Sequence, residues 1–300
     1  KHLDTLRAID VIAREGSIRR AAETLSITST ALNRRVLALE AELGAPIFER
    51  LPRGVRLSSA GEILVTHARN QISDMERVRS RIADLSGVRR GHVSVAASQA
   101  LLPYFLPEEI ARYRQVHQAV TFGVHRRDRD AAEGALADHS ADLALVFEPV
   151  RMTAFQTLAK LRQPICAILH PAHALAGRRS VRLHECMTYP LGLPTRAYGV
   201  RHLLEAAAAR LSLDLAPTLE SDSFEFLRSA VVDRQIVSFQ IPVGLPREPR
   251  PGDVVTIPLD PRDVPAGLLH MGQLRGRTLP VAAAKFAEQL VRTLETDFSP

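Results

Sequence analysis

Between Ile27 and Val36 the chain reads ITSTALNRRV, in which hydroxyls come first and an Asn-Arg-Arg run follows. Hydroxyl and amide groups suit hydrogen bonds to base edges, and an arginine takes a guanine bidentately or holds a phosphate. Thr28, Ser29, Thr30, Asn33, Arg34 and Arg35 therefore form a candidate face for double-stranded DNA. Downstream, Arg53 and Arg56 are placed to track a phosphate backbone or a minor groove. The competing reading is the solvated skin of an ordinary surface helix. Charge leans toward a polyanion at one end: residues 1–90 hold 16 Lys+Arg against 11 Asp+Glu, and the remainder 23 against 22. Arginine outnumbers lysine 36 to 3 along the whole chain, so charge alone does not decide.

A second set of groups suits a small anion. Ser98-Gln99 and Thr195-Arg196 each follow an expected strand and precede an expected helix. Backbone N–H groups and hydroxyls at such turns suit a carboxylate, and Arg196, Arg126 and Arg127 offer charge. Ser98 and Thr195 also read as simple helix caps, and Arg126 and Arg127 as solvated surface.

Other chemistries find little support. There is no G-x-S-x-G, phosphate-loop or G-x-G-x-x-G pattern, so the chain is read as no enzyme and as needing no cofactor. His170 and His173 flank Pro171 without an acidic or cysteine partner, which argues against a metal site. Cys166 and Cys186 are too sparse for a disulfide framework, and a redox switch would require the pair to meet. No apolar run approaches the roughly 18 residues of a membrane span, and no signal-peptide pattern opens the chain, so a cytoplasmic protein is expected.

The elements that must position these groups follow from periodicity. Leu3, Leu6, Ile9 and Ile12 mark a first helix over 3–14; Ser17 caps a second, Thr28 caps a third, and Gly44 ends it. Pro52-Arg53-Gly54 joins two short extended pieces. Ser58 or Ser59 caps a long helix reaching about Leu85, whose stripe of Ala68, Ile72, Met75 and Ile82 is read as a dimer contact or as packing on its own domain. Gly87–Gly91 is a basic joint. Beyond it, strands over 92–97, 120–125, 141–147, 165–169, 191–194, 236–241 and 254–257 alternate with helices over 102–114, 129–138, 200–211, 224–232 and 282–294. Such alternation argues for α/β sheets with ligands at strand C-terminal ends.

EGSIRRAAETLSITSTALNRRVLALEAELGAPIFERLPRGVRLSSAG, followed by LLPYFLPEEIARYRQ, ADLAL, HPAHALAG, PLGLPT and RTLPVAAAKFAEQL, resembles the LysR-type transcriptional regulators over nearly the whole chain. The resemblance implies an α + α/β chain with a winged helix-turn-helix at 1–57 and a linker and dimerisation helix with its hinge at 58–90. It also implies a two-lobed effector domain at 91–300 similar to periplasmic binding proteins, with lobe I at 91–162 and 268–300 and lobe II at 163–267. On this resemblance Ser98, Gln99, Thr195 and Arg196 face one another across a cleft, with Arg126, Arg127 and Phe239 as further effector contacts. It implies a homodimer or homotetramer on a pseudo-palindromic site, a small-molecule effector, RNA polymerase as a further partner, and no membrane; the arginines and helix starts of the cleft point to an organic anion as that effector. Two departures stand out. Ser29 occupies a place where the family often carries glutamine, and Asp233-Arg234-Gln235-Ile236 replaces glycines common before a late lobe II strand. The alternatives are a solute-binding module or an enzyme on the same two-lobed scaffold.

Overall fold

The computed structural model describes residues 2–85, 91–247 and 253–298, which fall into two compact units, 1–87 and 88–300. The basic joint at 87–90 lies outside the described residues.

The first unit runs α1 (His2–Glu15), α2 (Ile18–Thr24), α3 (Ser29–Leu43), β1 (Phe48–Leu51), β2 (Gly54–Leu57) and α4 (Ser59–Leu85). Ser17 and Thr28 cap α2 and α3 by accepting from the Arg20 and Ala31 amides, which satisfies donors the helix itself leaves open. Ile9, Ile12, Ala22, Leu32, Val36, Ile47 and Val65 pack into one core. The hairpin is locked to the α1–α2 turn, where the Val55 amide donates to the Gly16 carbonyl at 2.9 Å. Gly54 has φ +121°, and a Cβ there would lie 2.3 Å from that same oxygen, so only glycine fits. Ser58 is the residue that caps α4, its Oγ accepting from the Gly61 amide at 3.0 Å.

The first half of α4 is covered by its own unit. Ala68 is buried, and Arg69 Nε donates to Asp10 Oδ1 at 2.7 Å while Arg14 holds the other oxygen at 2.9 Å. Further along, Ile72 and Met75 are half-buried and Val78 and Ile82 are exposed; the Leu85 side chain lies outside the described residues.

The second unit holds two five-stranded sheets. The first, ordered β4-β3-β5-β12-β6, contains β3 (Gly91–Ala97), β4 (Val120–Arg126), β5 (Leu143–Phe147), β6 (Phe155–Gln163) and β12 (Gly267–Leu274). β3 is parallel to β4 and β5, and β12 runs antiparallel between β5 and β6. The helices α5 (Phe105–Val116), α6 (Ala131–Ala137) and α10 (Val281–Asp297) pack with it. The second sheet, ordered β11-β7-β10-β8-β9, contains β7 (Cys166–Leu169), β8 (Leu191–Pro194), β9 (Leu219–Ser221), β10 (Val237–Gln240) and β11 (Val255–Pro258). The helices α7 (Leu183–Cys186), α8 (Gly199–Arg210) and α9 (Phe224–Ala230) accompany it. One hydrophobic cluster, from Val95 and Leu145 through Leu101 to Phe239 and Ile241, is continuous between the two sheets.

The structure corrects the sequence reading at several elements. β6, β9, β12 and the short α7 were not expected. The helix expected over 102–114 starts at Phe105, after a short 3₁₀ turn at Gln99–Leu101. That start puts Pro107 in the first turn, where its missing N–H costs nothing, rather than deep inside the helix.

Candidate functional site

On the first unit, α3 turns Leu32, Val36 and Leu39 into the core and leaves Ser29, Thr30, Arg34 and Arg35 exposed. Thr28 is exposed too, with its oxygen engaged in the cap at 3.2 Å from the Ala31 amide. Asn33 is half-buried, and its Oδ1 accepts from Arg50 Nη2 at 3.0 Å. With that oxygen engaged, the side-chain donor left on Asn33 is its NH2 group. Arg53 stands exposed in the turn between β1 and β2. Arg56 is not part of this group in the same way: it pairs with Glu49, its register partner across the hairpin, at 2.5 Å. Glu49 and Arg56 share one face of the hairpin, and Arg50 projects from the other, toward α3. Sequence reading passed over Arg50, although strand alternation along FERL sets it on the face opposite Glu49.

On the second unit, the structure gathers some of the expected effector residues and separates others. Ser98 is buried, its Oγ accepting from the Phe147 amide at 3.2 Å, so it ties the ends of β3 and β5 rather than capping a helix. Gln99 joins the two sheets: its amide donates to Asp128 Oδ1 at 3.2 Å, and its Oε1 accepts from the Phe224 amide, at the start of α9, at 3.1 Å. Arg126, from the end of β4, reaches Tyr198 Oη at 3.3 Å and Asp222 Oδ2 at 3.4 Å, while Tyr198 Oη donates to the Asp222 carbonyl at 2.7 Å. Thr195 borders this junction through its amide, which donates to the Ser221 carbonyl.

Three residues lie elsewhere. Arg127 is exposed and donates to the Arg126 carbonyl; Arg196 is exposed and pairs with Glu205 of α8 at 3.0 Å. Phe239 is fully buried and borders a separate narrow crevice, with room for about 10 Å³, beside Tyr104, Phe224, Arg228 and Gln240. The residues missed are Asp128, Tyr198 and Asp222. Asp222 follows the three-residue strand β9, too short to carry an alternation signal.

The junction is electrostatically tense. Burial pushes the Asp128 carboxyl up to about 6, against the Gln99 amide and Arg126, which pull it down. Burial and the Asp128 charge raise the Tyr198 phenol to about 12, so it stays a proton donor. The cysteines offer no thiolate: both are buried, and burial pushes each to about 12. His170 and His173 each use Nδ1 to accept from a backbone amide of their own turn. Among the described residues, no helix is long and apolar enough to cross a membrane.

Residues 86–295 match the family model described as the LysR substrate binding domain, and residues 3–62 match that of the bacterial regulatory helix-turn-helix protein, lysR family. The RuBisCO operon transcriptional regulator of Allochromatium vinosum is 29% identical over 203 residues, 68% of this chain and 67% of that one. Among solved structures, a full-length OxyR variant from Pseudomonas aeruginosa superposes with a TM-score of 0.73 at 22% identity, covering 96% of this chain and 94% of that one. Full-length CbnR in complex with its target DNA gives 0.60 at 17% identity, covering 97% and 98%. At these identities the two structures speak for the fold.

Proposed function

The chain belongs to the LysR family of bacterial helix-turn-helix regulators, and from that premise we propose how its own residues do the work. α3 enters the major groove of double-stranded DNA with Ser29, Thr30, Asn33 and Arg34 toward base edges, and Arg35 and Arg53 hold phosphates. Two copies, paired through the exposed end of α4, read a two-fold site. A small organic anion acts at the junction of the second unit by taking Arg126 from Asp222. Arg126 is half exposed, so its present bonds are screened and weak enough to exchange.

The observation that carries the reading is the side-chain division on α3, with Asn33 set in place by Arg50 of the hairpin. Fluorescence anisotropy with the DNA next to the protein's own gene, with and without organic acids, tests both halves. Arg34→Ala should weaken binding by about 1–3 kcal/mol, and Arg126→Gln should keep DNA affinity while losing the response to the acid. Equal affinity in wild type and Arg34→Ala would remove the α3 assignment; a response only to cations or neutral sugars would remove the anion.

A further inference from the structure

The first sheet carries a recess lined by none of the expected effector contacts. On β12, Leu269 and Met271 face the large core, while Leu274 faces the side served by α6. β6 pairs with β12 so that Lys160 lies opposite His270 and Ala159 opposite Met271; the register then slips, Gly272 falls opposite Thr157, and Leu158 is the extra residue. A bulge of one residue inverts the alternation that follows it. Ala159 and Leu161 therefore join the large core, yet Phe155, of the same parity, joins the cluster under α6. The slip brings Phe155, Thr157 and Lys160 to one face with His270. The Phe155 ring lies over Gly272, where a Cβ would stand 2.2 Å from Cε1.

These residues, with Met152 and Arg275, line a wide-open surface recess of about 710 Å³. Its cations are Lys160 and Arg275, the latter fixed at the rim by Nη2 donating to the Phe155 carbonyl at 3.2 Å. The nearby acids are engaged: Glu148 accepts from the Leu268 amide at 2.6 Å, and Glu133 from the Thr153 hydroxyl at 3.1 Å and the Ala154 amide. His270 forms part of the wall. It is 9% exposed, and its Nδ1 has no hydrogen-bond partner among the described residues. Native structures rarely leave a buried polar atom unpaired without a reason. Burial and then Lys160 hold the ring below its ordinary pKa, with Glu148 opposing, so it stands as a neutral imidazole.

We propose that this recess is a second ligand site on the unit, separate from the Arg126 junction, that takes an amphipathic carboxylate. The carboxylate lies between Lys160 and Arg275 and within reach of the His270 ring, and the apolar body rests on Phe155 and Met152. Two cations, an unpaired imidazole and an aromatic floor answer a carboxylate with a hydrophobic body better than an inorganic anion, which gains nothing from the floor.

Isothermal titration of the full chain with phenylacetate tests it, with phenylacetamide and inorganic phosphate as comparison ligands. Lys160 is exposed, so Lys160→Met folds regardless of the outcome; His270→Leu is read alongside it, with melting curves as the check on folding. One phenylacetate-binding event should weaken about tenfold or more in both variants, as expected for loss of a charge-assisted contact. That same event should survive Arg126→Gln, whereas an event at the junction should not. Phosphate should bind it more weakly, and phenylacetamide not at all. Unchanged affinity in Lys160→Met, loss in Arg126→Gln instead, or no binding by wild type would overturn the site. Phosphate binding as tightly as phenylacetate would overturn the amphipathic assignment.

Discussion

Asp128 shows how single groups set the state of the junction. It accepts from the Gln99 amide while lying 4.0 Å from Arg126, and burial still carries it up to about 6 from an ordinary value near 4. The sign follows from the proton count. Below the unfolded value both states are protonated and Asp128 contributes nothing. Between the unfolded and folded values the unfolded chain ionises first, so stability falls as pH rises through that window. Above about 6 the full penalty is present. Asp128→Asn keeps an acceptor for Gln99 and removes the charge. Its unfolding free energy should match wild type near pH 3 and exceed it at pH 7.5 by about 1 kcal/mol once solvent screening is allowed for. A gap that does not grow with pH would show that Asp128 is not the titrating group. Ser29 carries a complementary point: a short exposed hydroxyl stands where the resemblance would often place glutamine, and in the proposed reading a longer reach to a base there falls to Asn33, whose side-chain oxygen Arg50 holds.

At the scale of elements, what the sequence disclosed depended on how locally each element is specified. The three helices of the first unit announce themselves through caps and an unbroken apolar period, and Ser17, Thr28 and Gly44 sit at the very positions their chemistry suggests. β6 was hidden because Leu158 breaks its alternation mid-strand, and β12 because Gly267, His270 and Gly272 dilute a core pattern. The junction was half visible for a related reason. Ser98, Gln99 and Arg126 follow strands long enough to recognise, whereas Asp222 and Tyr198 come to them only through sheet order. The long helix α4 was readable as a helix but not in its division of labour. Asp10 and Arg69 fasten its first half to α1, and Val78 is 45% exposed beyond that point. If the exposed end pairs two copies, a carboxylate placed there is desolvated twice in a two-fold interface. Val78→Asp should lower the mass seen in sedimentation by half or more without changing the helical circular dichroism of the chain. An unchanged mass would place the pairing surface elsewhere.

At the scale of the whole molecule, the charge division becomes a statement about binding. Residues 91–300 are nearly neutral, with 23 Lys+Arg against 22 Asp+Glu, so the electrostatic attraction to DNA is carried by the first unit. Within it, Arg56 is engaged by Glu49 and Arg50 by Asn33, while Arg34, Arg35 and Arg53 stand exposed. With Arg35 and Arg53 as the proposed phosphate contacts, doubled by the proposed two-fold site, the expected slope of log affinity against log salt is roughly −4. Arg53 lies in the hairpin turn and not on α3, and in the proposed reading its contribution is sequence-independent. Arg53→Ala should therefore make the slope shallower by about 2 and weaken every DNA sequence alike. A variant that kept the slope and changed the ranking of sequences would mean that Arg53 reads bases, and the hairpin would then belong to recognition rather than to anchoring.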